Sequence, residues 1–116
     1  MQIECVRDRG YQWTVEGGIY FKGYICRKNA VYRGKDAIEQ LKSINTFENF
    51  CSFLKEVDGI YAIIAAREDT VWAAVDIARS IPLFYSRDLE MISDSAEHIK
   101  ERKHMTPEDL DVRRVL

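Results

Sequence analysis

The chain has 116 residues, of which 47% are hydrophobic and 31% charged, a composition typical of a folded globular domain and not of a disordered chain. This length suffices for one domain with a hydrophobic core and is too short for two ordinary ones. With 17 basic and 19 acidic residues, the formal net charge of -2 leaves no positive surplus to neutralise phosphates, which excludes a typical nucleic-acid-binding surface.

The sequence carries no sign of membrane insertion or secretion. No apolar run approaches the roughly 20 residues that a membrane-spanning helix needs. The N-terminal stretch MQIECVRDRG contains no apolar signal-peptide core. We therefore expect a cytoplasmic protein without a membrane partner.

Strands dominate the first part of the sequence. Residues 11–15 alternate weakly and predict a short strand, and the aromatic and β-branched run at 17–27 predicts a longer one. Lys28 and Asn29 predict a turn, after which the segment 30–34 predicts a short return strand.

Two amphipathic helices are predicted next, over residues 34–44 and 45–57. Asn45 or Thr46 is a candidate N-cap for the second helix. The apolar residues expected to face the core are Ala37, Ile38, Leu41 and Ile44 in the first helix and Phe47, Phe50, Cys51 and Leu54 in the second.

Two apolar segments, IYAIIAA and VWAAV, predict adjacent strands within 59–67 and 70–77, with the turn at Glu68 and Asp69. Their apolar residues are consecutive and do not alternate, which indicates strands covered on both faces. We therefore predict an α+β fold in which this antiparallel hairpin is central, with helices on one side and a second sheet on the other. The remaining predicted elements are a short hairpin of strands at 82–86 and 90–93 and a helix at 94–103.

The predicted helix at 94–103 has Ser93 or Asp94 as its candidate cap, with Glu97 placed as in a capping box. A further helix start is predicted at Thr106, where a proline and acidic residues follow. Because the chain ends while that helix is barely formed, we expect it to be an N-terminal part of a longer protein.

The three cysteines, Cys5, Cys26 and Cys51, are odd in number and lack the spacing of metal ligands, so we expect reduced thiols. We expect Cys26 and Cys51 to be core residues. His98 and His104 also lack a ligand pattern and are expected to be solvated helix residues. The sequence thus predicts no metal site.

The order of four segments, DGIYAIIA, VWAAVD, PLFY and ISDSAEHI, resembles the glutaminase domain of asparagine synthetases and related class II glutamine amidotransferases. That family has a Leu-x-Gly-x-Phe-Ala strand, a strand ending in Ala-Arg-Asp, a Pro-Leu-Tyr-Tyr turn and a Phe-x-Ser-Glu junction. The residues that match are Gly59, Tyr61 and Ala62, then Ala74 and Asp76, then Pro82, Leu83, Phe84 and Tyr85, and finally Ser93 or Ser95 with Glu97.

The resemblance implies a single domain over 1–116 with an N-terminal-nucleophile hydrolase-like fold, a layered α-β-β-α sandwich of antiparallel sheets. The matching residues are expected to be structural. An Asp76 carboxylate after a buried strand is suited to accept backbone N–H bonds and hold the turn. Pro82 fixes φ after that turn, and Tyr85 is expected to pack in the next strand.

The family's glutamine hydrolysis uses an N-terminal cysteine, whose thiol attacks the amide while the free α-amino group acts as base. The present sequence begins Met1-Gln2-Ile3, so Cys5 meets this requirement only if the chain is cleaved after Glu4. Without such cleavage, the sequence offers no catalytic nucleophile of this type.

The family also uses an Asn-Gly pair for the oxyanion hole, and the corresponding pair here is Lys22-Gly23. A flexible lysine is a poor preorganised substitute for the asparagine. The segment expected to supply the acid that binds the substrate's α-amino group has no aspartate, with Glu48 the nearest acid. Arg7 and Arg9 are weak counterparts of the family's substrate-binding arginine. Nucleophile, oxyanion asparagine and substrate acid are thus absent together.

The sequence therefore predicts a non-catalytic glutaminase-like domain of an asparagine synthetase-related protein. The resemblance implies a C-terminal synthetase domain outside this chain that uses ATP and Mg²⁺, and a homodimer is a candidate assembly; no cofactor is expected within these residues. One alternative is an active glutaminase that supplies ammonia for asparagine synthesis after processing to Cys5. Another alternative is an unrelated interaction module.

Overall fold

The computed structural model describes residues 2–7, 10–67, 70–88, 90–103 and 112–114. These residues form a mixed α+β fold in which helices and strands pack around two hydrophobic cores. The elements in chain order are β1 (Gln2–Glu4), β2 (Thr14–Glu16), β3 (Ile19–Arg27), β4 (Ala30–Arg33), α1 (Gly34–Leu41), α2 (Phe47–Glu56), β5 (Asp58–Ala66), β6 (Val71–Val75), β7 (Phe84–Ser86), β8 (Met91–Ser93), α3 (Ala96–Lys103) and β9 (Val112–Arg114).

The strands form two sheets. The central sheet has the order β2-β3-β5-β6, with β4 also paired to β3, and all of its pairs are antiparallel. The outer sheet has the order β1-β8-β7-β9. It departs from the predicted antiparallel arrangement at β1, which runs parallel to β8 with Gln2 opposite Met91.

Strand β5 is buried on both faces, as its unbroken apolar sequence predicts. Tyr61 and Ile63 belong to a core that includes residues of α1 and α2, here called the helix-side core. Ala62 and Ile64 point the other way into an inter-sheet core with Leu83, which precedes β7, and with Ile92 of the outer sheet. Because neighbouring side chains of a strand point to opposite faces, one strand serves both cores.

The helices cover the central sheet with the apolar faces that their sequence periodicity indicates, with exceptions in α2, where Phe47 and Cys51 are not buried and Phe53, which is not predicted to face the core, is buried. In α1 the predicted residues Ala37, Ile38 and Leu41 are all buried. In α2 the buried residues are Phe50 and Phe53, whereas Phe47, predicted to face the core, is 57% exposed. Phe47 instead stacks on the rings of Phe50 and Trp72 at the edge of the core.

The caps are partly as predicted. The Thr46 hydroxyl accepts a hydrogen bond from the Asn49 backbone N–H at 3.1 Å, which confirms it as the N-cap of α2. For α3 the cap is Ser95, since its hydroxyl accepts from the His98 N–H at 3.2 Å, and the prediction of Ser93 or Asp94 is wrong. Both of the predicted residues have other partners, because Ser93 Oγ accepts from the Ser95 N–H and Asp94 binds a distant segment.

The two ends of the chain differ from the sequence-based prediction. Strand β1 is not predicted from the sequence, because its residues QIE contain a single apolar side chain, whereas the equally short β7 and β8 each contain two. The helix predicted from Thr106 falls largely outside the described residues, and the described part, Val112–Arg114, is a strand paired with β7. Within the described part of the chain, no helix has the length and apolarity required to cross a lipid bilayer.

Candidate functional site

Cys5 directly follows β1 and packs, half-buried, against the inter-sheet core. Its nitrogen is part of a peptide bond to Glu4 in the present chain, so no α-amino group is available there as a base. Burial, reinforced by the negative charge of Asp94, raises the pKa of the Cys5 thiol to about 12, while Lys22 acts in the opposite direction. Because the thiolate is the nucleophile, this environment disfavours the reactive form of Cys5 at neutral pH.

Asp94 fixes the segment that follows Cys5. Its carboxylate accepts hydrogen bonds from the backbone N–H groups of Val6 at 2.8 Å and Arg7 at 2.9 Å. It also accepts from the indole Nε1–H of Trp13 at 2.9 Å. With 1% of its surface exposed, Asp94 is a buried carboxylate satisfied by three donors, a role that differs from the helix cap that the sequence suggests.

Lys22 lies in the middle of β3, opposite Ala62 in the pairing with β5. Directly paired residues share a face of the sheet, so Lys22 projects toward the outer sheet. It is only 5% exposed, and its Nζ donates a hydrogen bond to the Arg7 carbonyl oxygen at 3.0 Å. The same Nζ lies 5.7 Å from the centre of the Trp13 ring, at the distance of a cation–π interaction.

The neighbouring Gly23 is required by the backbone. It has φ +103°, and a Cβ at this position would overlap the carbonyl oxygen of Ile60 on β5. Gly59 on β5 has φ +137° and faces the carbonyl oxygen of Tyr24 in the same way. Both glycines of the family resemblance therefore have a packing reason to be glycine, independent of catalysis.

A pocket with a volume of about 580 Å³ opens beside these residues, and we call it the Lys22 pocket. Its charged lining residues are Lys22 from β3, Asp94 from the turn after β8 and Arg7 from the segment after β1. The apolar part of the lining includes Val6, Ile60 and Pro82. The structure thus brings Cys5, Lys22 and Asp94 into one region, in which Cys5 lies next to the pocket lining.

Asp76 acts as the predicted structural anchor at the end of β6. Its Oδ1 accepts from the Tyr61 backbone N–H at 3.2 Å. Its Oδ2 accepts from the backbone N–H and the hydroxyl of Ser80, at 3.3 and 3.0 Å. These bonds hold the turn that leads to Pro82, which lines the Lys22 pocket, while Tyr85 packs against the inter-sheet core.

The other candidate residues lie apart from the pocket or outside the described chain. Glu48 is exposed in the first turn of α2. Cys26 and Cys51 are half-buried free thiols, less enclosed than the core positions predicted for them. His98 is not a freely solvated residue as predicted, since its Nε2 lies 2.7 Å from Glu4 Oε1. Arg9 and His104 lie outside the described residues.

Metal chemistry has no structural support within the described residues, because they contain no group of three His, Cys, Asp or Glu side chains arranged to hold an ion. Comparison with known proteins adds no identification: no protein-family model, no curated protein and no solved structure matches the chain. The functional argument therefore rests on the environment of Cys5 and on the geometry of the Lys22 pocket.

Proposed function

We propose that the chain is a non-catalytic glutaminase-like domain of an asparagine synthetase-related protein, with an N-terminal-nucleophile hydrolase-like fold. In this proposal, ATP-dependent amide formation belongs to a C-terminal synthetase domain outside these residues. The domain itself supports folding, assembly or substrate positioning. A homodimer and a cytoplasmic location stay predictions.

The proposal is supported mainly by the environment of Cys5. Hydrolysis by this chemistry needs a thiolate and a nearby base. Here the thiol is held in its neutral form by burial and by the adjacent Asp94, and its nitrogen is in a peptide bond. A glutaminase reaction through Cys5 would have to reverse both features.

Lys22, which takes the place of the family's oxyanion-hole asparagine, supports the same proposal. A donor that stabilises a tetrahedral intermediate must already point at the position of the oxyanion. The Lys22 ammonium instead donates to the Arg7 carbonyl and lies over Trp13. One donor of the side chain at the expected oxyanion position therefore holds the chain segment after β1, an arrangement that differs from a preorganised asparagine donor.

The layered arrangement also agrees with the family resemblance, and this support does not depend on whether the domain is catalytic. The central sheet lies between α1 and α2 on one face and the outer sheet on the other, while α3 contacts β8. The matching residues Gly59, Asp76 and Tyr85 have structural roles in this arrangement.

Release of glutamate from glutamine tests the non-catalytic part of the proposal. The chain beginning at Met1 and a version processed to begin at Cys5 are each incubated with glutamine, with the Cys5→Ala variant as control. We expect no glutamate above the buffer rate from any of them. Glutamate release that requires Cys5 in either form would establish the alternative of an active glutaminase.

The synthetase partner is tested by sequencing the reading frame downstream of codon 116. We expect it to encode a domain containing a Ser-Gly-Gly-x-Asp-Ser pyrophosphate-binding loop. A stop codon immediately after Leu116 would contradict the synthetase part and leave the interaction-module alternative.

A further inference from the structure

We propose that the Lys22 pocket is a binding site for a small carboxylate with an apolar body. This inference rests on the charge, burial and shape of the pocket, and it holds whether or not the chain belongs to the amidotransferases. The proposed ligand also differs from a neutral amide, because the group that would contact it is the Lys22 ammonium.

The first argument is that the charge of Lys22 is incompletely paired among the residues that the structure describes. A lysine ammonium has three hydrogen-bond donors. Within the described part of the chain, the acceptor bonded to Lys22 Nζ is the neutral carbonyl oxygen of Arg7. Buried charges are normally paired, and a neutral acceptor with an aromatic face only partly replaces water. A ligand carboxylate would complete the pairing with a charge-assisted hydrogen bond.

The second argument is that the acidic group in the pocket is already occupied. The Asp94 carboxylate accepts from Val6, Arg7 and Trp13 at 2.8, 2.9 and 2.9 Å. A carboxylate has about four acceptor positions, so most of its capacity is used inside the protein. The pocket therefore offers its ammonium to a ligand more readily than its carboxylate.

The third argument is the size and lining of the pocket. A volume of about 580 Å³ accommodates a small molecule. Val6, Ile60, Ile81 and Pro82 line it with apolar surface, and Tyr11 adds an aromatic ring. A ligand that places a carboxylate at Lys22 would bury its apolar part against these side chains, and transfer of apolar surface out of water favours binding.

Trp13 provides a specific readout for this site. Its indole N–H bonds to Asp94 and its ring lies under the Lys22 ammonium, so its NMR signal is sensitive to a ligand there. The chain has 2 tryptophans, and a Trp72→Phe variant assigns the indole signal of Trp13 by elimination. The probes are hexanoate and phenylacetate, with hexanamide and phenylacetamide as matched neutral compounds.

We expect each carboxylate to shift the Trp13 indole signal saturably, with affinity in roughly the millimolar range because the probes are small. The matched amides should bind about tenfold more weakly, as expected when a charge-assisted hydrogen bond is replaced by a neutral one. Equal affinities for carboxylate and amide would overturn the proposal, as would an unchanged Trp13 signal at the highest probe concentration.

A variant separates the role of Lys22 from general cation effects. Lys22→Met keeps most of the side-chain length and removes the charge, and it should abolish the preference for the carboxylate. Lys42→Met is the matched control, because Lys42 lies after α1, where it pairs with Glu16 and Glu39. If Lys22→Met is folded by circular dichroism and still prefers the carboxylate, the proposal is wrong. The comparison of carboxylate and amide in the unaltered chain tests the proposal even if this variant does not fold.

Discussion

At the scale of single residues, Gly23 is the position where the backbone leaves the least room for substitution. In a Gly23→Ala variant, the new methyl group would overlap the Ile60 carbonyl oxygen. The alanine backbone would also have to adopt φ +103°. We expect a loss of about 3 kcal/mol or more in the free energy of unfolding, measured by urea denaturation.

Gly17→Ala is the matched control for this prediction. Gly17 also has a positive φ, +58°, but no atom lies within 4 Å of the position that a Cβ would take, so only the backbone term remains, about 1 kcal/mol. A similar loss in both variants would show that the close approach of β3 and β5 at Gly23 does not contribute.

Cys5 allows a second prediction at the residue scale. With a thiol pKa of about 12, the thiolate fraction at pH values near 8 is very small. We expect iodoacetamide to label Cys5 in the folded chain at least about tenfold more slowly than in the urea-unfolded chain, as followed by peptide mass spectrometry. Labelling of folded Cys5 at the unfolded rate would contradict the buried environment of the thiol and weaken the non-catalytic proposal.

At the scale of elements, a group of charged residues joins β1 to α3. Glu4 accepts from Arg102 at 2.9 Å and lies 2.7 Å from His98 Nε2. The hydrogen bond with His98 and the positive charge of Arg102 lower the pKa of Glu4, although partial burial acts against them. Polar and charged interactions thus link β1, a short strand with little apolar surface, to α3.

The lowered pKa of Glu4 has a definite consequence for the pH dependence of stability. A carboxyl group whose pKa is lower in the folded state stabilises the fold above its unfolded pKa and loses that contribution as pH falls through its folded pKa. We expect the unaltered chain to be more stable than Glu4→Gln near about pH 6 and the difference to shrink below about pH 4. Urea denaturation of both proteins across this pH range measures the difference in their free energies of unfolding. A difference that does not change with pH would show that Glu4 contributes only by packing.

The elements that could be predicted from the sequence are those with a local signal. The amphipathic periods of α1 and α2, the Thr46 cap and the unbroken apolar run of β5 each depend on neighbouring residues. Strand β1 and the Ser95 cap of α3 could not be predicted, because β1 has a single apolar residue and Ser95 competes with two adjacent capping candidates.

At the scale of the whole molecule, the Lys22 pocket depends on contacts that no local pattern contains. Asp94 is 88 positions from Val6 and 81 from Trp13, and Lys22 is 15 positions from Arg7. The sequence indicated the importance of Lys22 only through its resemblance to the family. The role of Asp94 depends on the outer sheet bringing the turn after β8 against the segment after β1, which no sequence period indicates.

We expect the central sheet to couple the unfolding of the two cores, because both cores include its residues. Ile63 and Ile64 are adjacent and fully buried, one in the helix-side core and the other in the inter-sheet core. We expect Ile63→Ala and Ile64→Ala each to lower the free energy of unfolding by about 2–5 kcal/mol. Because a single strand carries both side chains, each variant should still unfold in one cooperative transition.

Ile77→Ala provides the control for this last prediction, because Ile77 is 100% exposed in the turn after β6. This substitution should change the free energy of unfolding by less than about 0.5 kcal/mol. Urea denaturation followed by both tryptophan fluorescence and circular dichroism measures all three variants, since Trp13 packs against the inter-sheet core and Trp72 against the helix-side core. Two separated transitions in either core variant would mean that one layer unfolds without the other. In that case the central sheet would not couple the Lys22 pocket to the helices, and substitutions in α1 or α2 would leave the pocket intact.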